Sequence, residues 1–139
     1  TTEGLAHLLN VAFGSTAKPT SYYLALFSGS ASPAANWTAA TFAAAAGEVV
    51  SMTEGYTAAT RPAWTPVNTS TGSIDNMSSV ASLTMATAGS LNVTGSAMLT
   101  NNVRGGTTGV LISASRYPVA RTFQAGDTFD IGYRISLTV

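Results

Sequence analysis

From residue 128 to the last residue the chain alternates strictly. Phe129, Ile131, Tyr133, Ile135, Leu137 and Val139 are apolar, apart from the glycine and polar residues between them: Thr128, Asp130, Gly132, Arg134, Ser136 and Thr138. Successive side chains leave a strand on opposite faces, so a repeat of two predicts a β-strand with one buried face. Burial of each large apolar side chain contributes about 1.5–3 kcal/mol, which predicts one long C-terminal strand placed centrally in the fold.

The preceding half of the chain carries the same signal in shorter pieces. Strands are expected over residues 80–86, 91–99, 108–114 and 119–123, punctuated by Gly89, Asn101-Asn102, Gly105-Gly106, Tyr117-Pro118 and Gly126-Asp127. Residues 21–28 place Tyr22, Leu24 and Leu26 on one side and Tyr23, Ala25 and Phe27 on the other, which predicts a strand buried on both faces. Shorter strands are expected over 48–52, 55–61 and 64–67. Pro62 and Pro66 lack amide donors and place that region at an edge or a bend. Residues 68–73 are polar and read as an exposed loop.

Two segments depart from β periodicity. In residues 1–14, Leu5, Leu8, Leu9, Ala12 and Phe13 recur at spacings that stack side chains on one helical face. Thr1 or Thr2 suits the cap, Glu3 the positive end of the dipole, and Gly14 the stop. Residues 30–47 are rich in alanine, and Asn36 and Gly47 bracket a second short helix over about 36–46. The fold class is therefore mainly β: a single-domain antiparallel β-sandwich or jelly-roll-like barrel with a short N-terminal helix, spanning 1–139 with its β core in 21–139.

Composition narrows the function. Only 9% of the 139 residues are charged, against about 25% in an ordinary domain, and six basic and six acidic residues cancel. The long-range attraction that serves nucleic-acid and anionic-membrane binders is missing, so neither partner is expected. A surface of Ser, Thr, Asn, Gly and Ala does little to repel copies of itself, as suits a homo-oligomer. With no cysteine, disulfides, thiolate metal sites and a Cys nucleophile are excluded. No signal peptide or membrane span is expected.

Chemistry-bearing patterns are sparse. His7 is the sole histidine and reads as a capping or interface residue rather than a catalyst or metal ligand. Nothing selects a working pair from the carboxylates, Arg104-Gly105-Gly106 reads as a β-turn, and no phosphate-cradling loop is present, so no catalytic residue, metal or cofactor is expected. The five arginines suit fixed contacts across interfaces. Candidate interface residues are Leu5, Leu8, Leu9 and Phe13 on the first helix, with the loop-flanking aromatics Trp37, Tyr56, Trp64 and Tyr117. These aromatics suit stacking on a protein or sugar, or else filling of the core.

Several segments occur in an order that resembles small virion structural proteins of tailed bacteriophages, of the tail-fibre-like and capsid decoration-like kind. They are Gly4-Leu5-Ala6-His7-Leu8-Leu9 running to Phe13-Gly14, Tyr22-Tyr23-Leu24-Ala25-Leu26-Phe27-Ser28, Glu54-Gly55-Tyr56 leading to Ala63-Trp64, and Phe123-Gln124-Ala125-Gly126-Asp127-Thr128. Two features depart from the family pattern: Arg61 lies later after Gly55-Tyr56 than expected, and the Ala-rich insert over 30–47 is longer. The resemblance implies a non-enzymatic component of the phage particle, assembled in the host cytoplasm among major capsid or tail proteins, and offers no active-site residues. A capsid decoration or cement protein is the first reading. A tail-fibre or tail-adaptor module that binds a receptor is the second, with glycan contact expected only there. A chain with room for one compact unit lacks the attachment segment, stalk and tip of a fibre, which favours decoration.

Overall fold

A computed structural model describes residues 1–138 and shows a mainly β, antiparallel architecture with a short N-terminal helix. Val139, the last residue of the expected C-terminal strand, lies outside the described residues. The centre is a four-stranded sheet ordered β3 (Ala63–Trp64), β1 (Tyr22–Phe27), β6 (Leu91–Leu99), β7 (Leu111–Phe123). Strand β1 is buried on both faces as its sequence predicts: Leu24, Ala25, Leu26 and Phe27 are fully inaccessible. Leu24 and Leu26 join Val93 and Met98 of β6 in the main core. A second sheet covers that face, ordered β2 (Gly55–Tyr56), β5 (Ala81–Ala86), β8 (Thr128–Ile131), and contributes Leu83, Met85 and Ile131. The arrangement is sandwich-like.

Ala25 and Phe27 point the other way, into a smaller core closed by helix α2 (Ala39–Ala46), where Phe42 meets Phe27 edge-on at 6.1 Å between ring centroids. The helix lies within the expected bounds, but its cap is Thr38 and not Asn36, with the Thr38 amide donating to Thr41 Oγ1 at 3.1 Å. Gly47 ends it in the left-handed region at φ 66, where a side chain would be strained. The chain then returns to β1, since Ser28 and Gly29 donate their amides to the carbonyls of Gly47 and Ala46.

The expected continuous C-terminal strand is corrected by the structure. It divides into β8, at the edge of the second sheet, and β9 (Arg134–Ser136), which pairs with β4 (Ser73–Asp75) in a separate ribbon. Neither half is central. The buried side chain of Asn76 sits at the break: its Nδ2 donates to the Ile131 carbonyl at 3.1 Å and its Oδ1 accepts from the Tyr133 amide at 2.7 Å. An amide side chain thus takes the place of a neighbouring strand, while the alternation survives because Ile131 and Tyr133 still face the core. Asn76→Ala leaves two buried backbone groups without these partners, and a loss of about 1–3 kcal/mol is expected in urea unfolding, with Asn76→Asp no better tolerated.

The segments expected over 108–114 and 119–123 prove to be one strand, β7, of 13 residues. Tyr117-Pro118 does not end it. Between the pairs Val93↔Arg121 and Gly95↔Arg116, only Thr94 on β6 faces the stretch from Tyr117 to Ala120, so the ladder bulges where Pro118 has no amide to offer. The strands expected over 48–52, 55–61 and 64–67 contract to β2, β3 and an isolated bridge between Phe27 and Glu48. Arg104 explains much of this contraction. Its guanidinium donates to the carbonyls of Val49, Ser51, Tyr56 and Ala58, the groups a ladder would otherwise use. Ribbon strand β4 instead arises at the end of the expected 68–73 loop, and β3 is the edge strand that Pro62 and Pro66 predict.

Candidate functional site

Helix α1 (Thr2–Ala12) is fastened at its N-terminal end. The Thr1 hydroxyl caps it, accepting from the Gly4 amide at 3.0 Å and donating to the Leu111 carbonyl at 2.6 Å. Glu3 does more than favour the dipole. Its carboxylate accepts from the amides of Ala39 at 2.9 Å and Leu111 at 2.7 Å, tying the starts of α2 and β7 together. Gly4 lies directly on the backbone of Ile112, so close that any Cβ would overlap the Ile112 carbonyl. One turn further on, buried His7 meets the Tyr22 hydroxyl at 3.2 Å, and the Tyr22 ring in turn packs edge-on against Trp64. His7 is thereby a packing residue with one hydroxyl partner. Among the described residues no three His, Cys, Asp or Glu side chains are grouped to hold a metal ion.

Because Gly4 and His7 take the buried face, the apolar stripe read from the sequence is turned outward. Leu5 and Leu9 are each 59% exposed and Phe13 is 88% exposed, while Leu8 and Val11 are half-buried along the boundary. Gly14 does not supply the expected left-handed stop, since none of its backbone angles is of that kind. The helix ends at Phe13, with φ −127 and its amide on the carbonyls of Leu9 and Asn10. Beside the stripe runs a groove of about 510 Å³, with Leu5, Leu8, Leu9, Ala12 and Phe13 on one wall. Ile74, Ile135, Leu137 and the hydroxyl-bearing Thr69, Thr71 and Ser73 form the other. Among the described residues no ionisable side chain lines it. Leu137, 71% exposed, is held there by its backbone N–H, which donates a hydrogen bond to the Gly72 carbonyl.

The loop-flanking aromatics lie elsewhere. Trp37, Tyr56 and Trp64 are buried, so of the two places left open for them they take the core and not an exposed interface. Trp37 packs on Phe42 in the smaller core, and Trp64 donates its indole N–H to the Tyr133 carbonyl at 3.0 Å. Tyr56 lies under Arg104, whose guanidinium carbon is 3.6 Å from the ring centroid. Tyr117 is half-buried against Phe129. Of the residues predicted for an interface, the structure brings together Leu5, Leu8, Leu9 and Phe13 and leaves the aromatics apart from them. Ile74, Ile135 and Leu137 were not predicted for this site. The alternation that exposes Leu137 with Ile135 on one strand face was the available signal.

The charged side chains are largely committed within the chain. Each of the six side-chain carboxylates accepts a hydrogen bond: Glu3 as above, Glu48 from Arg61, Glu54 from Thr87, Asp75 from Arg134, Asp127 from the Gln124 amide and Asp130 from Ser82. The Thr87 hydroxyl and the Ala88 amide hold the Glu54 carboxyl below its ordinary pKa, and the Met77 amide with Arg134 does the same for Asp75. Arg61, Arg104, Arg116 and Arg134 also make contacts within the chain, Arg116 to the carbonyls of Ser30 and Ala31. Of these, Arg61 is buried, whereas Arg116 and Arg134 remain exposed beside their contacts.

Burial pushes the Tyr56 and Tyr133 hydroxyls up to about 12 from an ordinary 10.0. Each is neutral in the fold and ionises more easily once unfolded. Their contribution is complete below pH 10, falls as the unfolded chain begins to lose protons, and is gone above about pH 12. A phenolate absorbance titration is expected to show these two tyrosines ionising together with alkaline unfolding. Ionisation of all tyrosines near pH 10, with the fold intact, would contradict their burial.

The chain matches none of the known protein families, and no curated protein is found to be similar to it.

Proposed function

We propose that this chain is a non-enzymatic structural protein of a tailed-phage particle, a capsid decoration or cement protein that packs on the particle exterior among other virion proteins. The observation that carries the reading is the uncovered apolar face of α1 beside a groove without ionisable side chains. Monomeric proteins rarely leave a contiguous apolar patch of more than a few hundred Å² to water, and such patches mark contact surfaces. The rest of the molecule supports the same reading. Its carboxylates serve as hydrogen-bond acceptors inside the chain, its histidine is packed, and the low net charge offers no field for a nucleic acid. The family resemblance of the linear segments supplies the particle.

The test is the copy number of the protein in purified particles, measured by quantitative mass spectrometry against the most abundant shell protein. A ratio near that of the shell protein is expected. A ratio near that of a tail component would replace decoration with the adaptor reading, and absence from particles would remove the virion assignment.

A further inference from the structure

We infer that the occupant of the α1 groove is a second copy of this chain, bound about a two-fold axis so that Phe13 of each copy enters the groove of the other. The inference rests on reading this face as a protein contact surface and names the partner. Self-complementarity is its first support. Phe13 projects at the end of α1 immediately beside a hollow whose walls are Leu5, Leu9, Ile135 and Leu137, so knob and hole lie in one patch. A patch that carries both halves of a contact meets its own copy through an isologous interface that closes at two.

Charge is the second. Juxtaposing two identical charged patches sets like against like, but among the described residues no ionisable side chain lines this groove, and these walls meet their copies without that repulsion. Area is the third. The exposed parts of Leu5, Leu9, Phe13 and Leu137 offer on the order of 500 Å² of apolar surface, at the upper end of what a monomer carries. Covering them on both copies removes on the order of 1,000 Å². With the rim of Thr69, Thr71 and Ser73 added, the total reaches the ~1,200–2,000 Å² of stable interfaces. Apolar centre and hydroxyl rim also match the anatomy of a working interface.

Sedimentation velocity on the full chain, from about 1 to 100 µM, tests this. The wild-type protein is expected to sediment at twice the chain mass. Phe13→Asp and Leu137→Asp, one on the knob and one on the groove wall, are each expected to weaken association about 100-fold or more while far-UV circular dichroism stays unchanged and Tm falls no lower than that of the wild type diluted to monomer. A monomer at 100 µM overturns the inference. So does undiminished association in both variants, or growth beyond two copies, which would show a head-to-tail contact. Failure here is distinct from failure of the particle reading: a monomer found on particles at shell stoichiometry removes only the dimer, and a dimer absent from particles removes only the particle.

Discussion

Arg61→Met is expected to lower the unfolding free energy by about 3–5 kcal/mol, against the ~5–15 kcal/mol that a domain possesses. Arg61 and Glu48 are both fully buried, and they meet through two parallel bonds of 2.7 Å. Arg61 also donates to the Asn101 carbonyl at 2.9 Å, and Glu48 accepts from the Gly105 amide at 3.0 Å, so the pair staples residues 48–61 to the 101–106 turn. Methionine preserves much of the volume and removes the cation. The Glu48 carboxylate is then buried against one amide, and that desolvation supplies the loss. Glu48→Gln should cost less than Arg61→Met, because an amide keeps an acceptor for Arg61. Urea unfolding at an unchanged m-value is the measurement, and a loss below about 1 kcal/mol would show that water reaches the pair. Dimer mass should not change in either variant at concentrations where the fold persists, since the α1 groove shares no residue with this network.

Phe42→Ala is expected to cost about 3–5 kcal/mol and to loosen α2 as a unit. Phe42 is fully buried between Phe27 and Trp37. Helix α2 has 8 residues, too few to persist alone in water, so tertiary packing holds it. The remaining apolar side chains of the helix are alanines, which leaves Phe42 as its one large anchor. Hydrogen exchange of the α2 amides should accelerate well beyond that of β6. Uniform acceleration across the chain would mean instead that the smaller core unfolds only with the whole molecule.

Much of the architecture was legible wherever the signal is local. The limits of β6 match the expected ones, β1 was readable as two-faced because apolar residues fill both of its parities, and the two helices lie within the expected ranges, although Thr38 and not Asn36 caps the second. The candidate site was legible in part. The stripe Leu5, Leu8, Leu9, Phe13 was visible as a pattern, but the groove wall opposite it comes from segments distant in sequence, Thr69 to Ile74 and Ile135 to Leu137. For Trp37, Tyr56 and Trp64 the sequence left core and interface both open, because adjacency to a loop says nothing about which way a ring turns.

The β class, the succession of short strands and the presence of an amphipathic N-terminal helix follow from the spacing of neighbours along the chain and need nothing else. Which face of that helix is covered was settled by long-range packing: the close seat of Gly4 on Ile112 and the His7 contact with Tyr22 outweigh the burial of Leu5, Leu9 and Phe13. It decided likewise that Asn76 divides the last strand, and that Glu48 and Arg61 meet in the interior. Periodicity records how a segment could bury its apolar groups. Which of them are covered depends on partners distant in sequence, whose approach is set by sterics and by hydrogen bonds that no local pattern encodes.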